Sequence, residues 1–65
     1  MKNEILICYR GKRSQMEMAK IYNVTQQAWS NWENGINVPA FPIMCRIARD
    51  IGKTAEEIFF KRINK

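Results

Sequence analysis

The chain has no histidine among its 65 residues, and only two cysteines, two prolines and three glycines. Without histidine it lacks the side chain that most often works as general acid, general base or metal ligand near neutral pH. Cys8 and Cys45 lie far apart and outside any Cys-x-x-Cys spacing, so neither a metal site nor a redox pair is indicated. They read as buried free thiols in a reducing cytoplasm. No nucleophile is paired with a base and no acidic pair marks a cleft, so the chain does not read as an enzyme. Neither a cofactor nor a small-molecule ligand is implied.

Long apolar runs are missing too. The ILIC stretch at residues 5–8 is too short for a signal-peptide core or a membrane span. Acidic residues are few, six against eleven Lys and Arg, giving a net charge of +5 and a pI near 9.6. That balance favours an acidic partner without choosing nucleic acid over membrane. The basic residues are scattered over several segments instead of forming one amphipathic face, which disfavours a membrane-surface peptide. A chain of this length makes one small domain, residues 1–65, with a marginal core that a partner subunit commonly supplements.

What is present centres on Ser14 to Gly35, SQMEMAKIYNVTQQAWSNWENG. Ser14 with Glu17 is a capping box that starts a helix at Gln15, with Met18, Ala19 and Tyr22 on its apolar side. Asn23 tolerates the left-handed conformation that ends a helix, and Thr25 caps a second one. In that second helix Ala28, Trp29 and Trp32 mark the inward side, while Gln26, Gln27, Ser30, Asn31 and Asn34 take the rest of the circumference. Exposed amides where Lys or Glu would solubilise as well suggest the reading of base edges, since an amide can donate and accept together on adenine.

The segment TQQAWSNWENG, preceded by SQMEMAKIYNV, resembles the Cro and phage-repressor class of helix-turn-helix DNA-binding proteins, the XRE-like family. Gln15, then Gln26 and Gln27, then Glu33 and Gly35 carry the resemblance, which extends over roughly residues 5–60. It implies an all-α, five-helix lambda-repressor-like domain with the motif at about residues 15–34. It implies further a transcriptional regulator, a repressor of phage, prophage or mobile-element type, that binds palindromic double-stranded DNA as a homodimer in a bacterial or phage-infected cytoplasm. On this reading Gln26, Gln27, Ser30 and Asn31 contact bases. Lys12, Arg13, Gln15 and the backbone at Asn34 and Gly35 contact phosphates. In the family an Arg late in the first helix pairs with the Glu ending the second helix of the motif, so Arg10 and Glu33 form either a buried ion pair or two solvated charges.

The flanks complete the expectation. Residues 3–10 form a helix capped by Asn3 and stopped by Gly11. After the INVPAFP loop a helix runs from about Phe41 to Ile51, with Phe41, Met44, Cys45, Ile47, Ala48 and Ile51 on its apolar face and Gly52 as its cap. Thr54 with Glu57 caps a last helix over roughly residues 55–61. The loop departs from the family in carrying Ile36, Val38 and Ala40 where relatives place Lys or Arg, so its apolar residues are core or interface. Phe60 and Ile63 are either a surface for a second chain or a partly exposed end. The same fold also suits a protein-interaction module, an antirepressor or an antitoxin, that would use this loop or the Phe59 and Phe60 pair.

Overall fold

All but one of the helical elements begin where a short polar side chain meets orphan backbone amides. In the computed structural model, which describes residues 1–60, Asn3 Oδ1 accepts from the Leu6 amide at 3.1 Å and opens α1, Glu4–Arg10. Ser14 and Glu17 close both halves of their capping box, at 2.7 and 3.0 Å, and open α2, Gln15–Tyr22. Thr25 Oγ1 accepts from the Ala28 amide at 3.0 Å and opens α3, Gln26–Glu33. Pro42, whose missing N–H costs nothing in a first turn, stands at the start of α4, Phe41–Ile51. Thr54 and Glu57 form a further capping box, after which the chain winds as a π-helical turn, Glu56–Phe60. The sequence predicts an ordinary helix there, out to Lys61, which lies outside the described residues. Among the described residues the fold is all-helical, five helical elements with no strand.

The turn between α2 and α3 is fixed by hydrogen-bond accounting. Asn23 takes φ 57°, which lets its amide reach the Lys20 carbonyl at 3.2 Å and the Val24 amide reach Ala19 at 2.9 Å. Both bonds of a Schellman cap are therefore made, and the helix ends with its carbonyls satisfied. Asn23 is the one non-glycine residue at positive φ among the described residues.

Leu6, Met18, Tyr22, Trp29 and Ile47 are fully buried, one or two from each of α1 to α4, and Ile58 joins them from the last turn. The Tyr22 and Trp29 rings stack at 5.8 Å between centroids, and Trp29 meets Trp32 edge-on at 5.7 Å. The two tryptophans are thus core residues of α3. The Tyr22 phenol, buried with them, donates to Asp50 at 2.8 Å and so accepts from Tyr9 at 2.9 Å, which ties α1, α2 and α4 together. Burial first, then these two hydrogen bonds, push its pKa far above the ordinary phenol value.

Three sequence expectations are corrected. Phe41 is 72% exposed, because the stripe that α4 buries is Met44, Ile47 and Ala48, and Phe41 sits at the helix tip beyond it. Cys45 lies on the flank of that stripe and is exposed. Cys8 is also exposed, two positions from buried Leu6 and hence on the far side of α1. Both thiols are free, and neither is a core residue.

The Asn23 cap yields a test. Asn23→Val should lower the unfolding free energy by about 1–2 kcal/mol, since a β-branched side chain is penalised in the left-handed region, while Asn23→Gly should leave it unchanged or slightly raised. Urea unfolding curves that rank the two variants the other way would show that the turn is not held in this conformation.

Candidate nucleic-acid interface

α3 divides cleanly into two faces. Trp29, Trp32 and Glu33 are buried, whereas Gln26 and Gln27 are exposed and Ser30 and Asn31 are partly so. Successive residues advance by about 100° around a helix, so the four polar side chains share the side away from the core. Gln27 Nε2 donates to Asn31 Oδ1 at 2.8 Å, and Asn34 Nδ2 donates to Ser30 Oγ at 3.3 Å. The sequence places these side chains outward, and their bonds to one another become visible only in the structure.

The inward end of α3 is held by charge. Glu33 is 3% exposed, and each of its oxygens receives two donors. Oε1 accepts from Gln15 Nε2 at 3.0 Å and from Arg10 Nη2 at 3.1 Å; Oε2 accepts from Arg10 Nε at 2.7 Å and from Trp29 Nε1. Burial alone would raise this carboxyl's pKa. The hydrogen bonds from Arg10, Gln15 and Trp29, with Arg10's charge, outweigh it and hold Glu33 below the ordinary carboxylate value. The Arg10 pKa is raised, chiefly by its hydrogen bond to Glu33. Arg10 and Glu33 are therefore a bidentate pair, with Gln15 and Trp29 as further donors from α2 and α3.

The residues expected to meet phosphates stand differently from one another. Lys12 is exposed. Arg13 folds back, donating to the carbonyls of Tyr9 at 2.6 Å and Arg10 at 3.1 Å with its guanidinium 5.1 Å from the centre of the Tyr9 ring. It closes the end of α1 before it can do anything else. Gln15 directs one N–H inward to Glu33, keeping its carbonyl and second N–H. The backbone amides of Asn34 and Gly35 are already bonded, to Ser30 at 3.0 Å and Trp32 at 3.2 Å, so as donors they are occupied within the chain.

One feature of this region escapes sequence reasoning altogether. Residues 1–3 lie as a strap across the end of α3: the Asn3 amide donates to the Glu33 carbonyl at 2.7 Å, and Asn3 Nδ2 donates to Ile58 at 2.9 Å. Gly35, at φ 72°, admits the strap, because a Cβ there would collide with the Met1 carbonyl. Asn3 is legible as a helix cap, but nothing local announces its second amide bond, 55 residues away.

Ile36 at 68% exposure, Val38 at 42%, Phe41 and, at 53%, Phe60 are left outside, as are Met1 and, on α2, Met16 and Ile21. Ile36 and Val38 are thus not core. Ile63 lies outside the described residues. No helix among the described residues is long and apolar enough to cross a membrane.

The charged hub sets a prediction. Arg10→Met strands a buried carboxylate and should cost about 3 kcal/mol in urea unfolding near neutral pH, the low end for a broken buried pair because Arg10 is 24% exposed. The Glu33 pKa is lowered in the folded state, so its stabilising contribution is complete above the unfolded carboxyl value, about pH 4.3, and is lost as pH falls through the folded value. Stability profiles of wild type and Glu33→Gln should therefore converge in acid, and profiles that stay parallel down to about pH 2 would refute the pairing.

Comparison with known proteins leaves this site to be read from its own residues: no family model matches the chain, and no curated protein or solved structure does so either.

Proposed function

We propose that the chain is a sequence-specific double-stranded DNA-binding protein, a transcriptional regulator of the Cro and phage-repressor type, in which α2, the Asn23 turn and α3 form a helix-turn-helix. The observation that carries this reading is the outer face of α3. Gln26, Gln27, Ser30 and Asn31 lie outward on a helix whose inner end is fixed by the buried Glu33 carboxylate. Rigid support beneath adaptable amides suits the reading of base edges in a major groove. Lys12, in the turn before α2, and the remaining N–H groups of Arg13 and Gln15 would meet the phosphate backbone. Exposed Phe60 would be covered by a second copy, giving a homodimer that reads half-sites one helical turn, about 34 Å, apart.

Selecting bound duplexes from a random pool tests this directly. A palindromic consensus is expected, and the absence of any enrichment would overturn the reading. On the selected duplex, Gln27→Ala should lose about 1–3 kcal/mol and lose little on random DNA, because an amide contact disappears while charge is unchanged. Lys12→Ala should weaken both alike and flatten the log–log salt dependence by about 0.9 per phosphate contact.

A second reading has one observation in its favour. Ile36, Val38 and Phe41 form an exposed apolar run directly after α3, which suits a protein-interaction module such as an antirepressor or an antitoxin. A tight protein partner together with salt-insensitive, unselective DNA binding would favour it.

A further inference from the structure

The outward amides of α3 are not equivalent. Gln27 leans toward the next helical turn and donates from Nε2 to Asn31 Oδ1 at 2.8 Å. Gln26, at the first position of the helix, is exposed and makes no side-chain hydrogen bond within the described residues. Side chains four apart share one helix face, so the Gln27 bond needs no distortion of the backbone. Its direction has a chemical consequence. Gln27 gives one N–H to Asn31 and keeps Oε1 as acceptor and its second N–H as donor, while Asn31 keeps both of its N–H donors.

Resting on the DNA-binding reading above, we infer that Gln27 and Asn31 act as one unit directed at a single adenine, Asn31 being a positioning residue that fixes which way the Gln27 amide faces. In the major groove adenine offers an N6 donor beside an N7 acceptor, the complement of what Gln27 still has free. Guanine offers two acceptors there. Donors from Gln27 and Asn31 could face them, but Gln27 Oε1 would then enter the interface unpaired, at a cost in affinity. The bond to Asn31 also restrains rotations that a lone glutamine gives up on binding, so Asn31 contributes through Gln27 without touching that base. Gln26, which lacks such a tether, contacts a different base pair.

The test uses the full chain and a pool of random duplexes, with wild type, Gln27→Ala, Asn31→Ala, the double variant and Gln26→Ala compared. None of these side chains is in the core, and far-UV circular dichroism verifies that each variant is folded. Gln27→Ala should lose about tenfold in affinity and its preference at one A·T pair. Asn31→Ala should relax preference at that same pair, and the double variant should match Gln27→Ala to within about twofold. Gln26→Ala should alter another position, and its loss should multiply with that of Asn31→Ala. A wild-type preference for guanine at the Gln27 position, relaxation by Asn31→Ala at a different pair, or independent losses for Gln27 and Asn31 would each overturn the unit while leaving DNA binding intact. A wild-type protein that enriches no duplex would remove the DNA reading, and this inference with it.

Discussion

An ionised carboxylate taken out of water is costly unless donors meet both of its oxygens, and in so small a chain there are few donors to bring. Glu33 obtains its four from three separate places: two from Arg10 at the end of α1, one from Gln15 at the start of α2, and one from Trp29 a turn earlier in α3. Satisfying the charge therefore fixes the relative placement of three helices. The Trp29 ring is held by that bond at its nitrogen and by Tyr22 against its face. Because desolvation offsets most of the attraction, the net stabilisation is modest; what the cluster supplies is one arrangement in preference to others.

A second consequence reaches the surface. α3 is held twice at its C-terminal residue, through the Glu33 carboxylate and through the strap from Asn3 onto the Glu33 carbonyl. The Thr25 cap and the Asn23 turn hold the other end. The polar face then belongs to a helix tied at both ends, which favours losing mainly side-chain rotations when a partner binds it. On the DNA-binding reading, preorganisation of this kind would let a few exposed amides act selectively, because less ordering cost falls on binding.

The parts of this design that were legible in sequence are those governed by local rules. Capping pairs three residues apart, Asn23 between two helices, Pro42 and Gly52 at the ends of α4 and the inward tryptophans all follow from the geometry of a single helix. Arg10 with Glu33 required the family resemblance, since no local rule joins residues 23 apart. The structure adds what depends on how helices cross: the Tyr9, Tyr22 and Asp50 chain, Arg13 folded onto Tyr9, and the Asn3 strap. Hydrophobicity alone does not bury Cys8, Cys45 or Phe41, all of which are exposed. In α4 the core takes a narrow stripe and leaves its flank and tip to solvent.

Charge distribution sharpens the contrast between the two functional readings. From Ile21 to Cys45 the sequence holds a single charged residue, Glu33, and that one is buried. The outer face of α3 and the loop after it are therefore electrically neutral, while the cations lie on the elements before and after. A neutral amide face cannot draw in DNA by itself, since counterion release requires Lys or Arg against phosphate. It can discriminate once flanking cations have brought the duplex close, because hydrogen bonds to base edges carry the sequence information. Protein-interface cores are also poor in charge, so neutrality alone fits both partners. Composition separates them: the loop offers apolar Ile36, Val38 and Phe41, whereas the helix offers amides and a hydroxyl. A protein partner gains most by covering the loop and a duplex gains most by meeting the helix. The two readings therefore assign the decisive contacts to adjacent but distinct surfaces of the same segment.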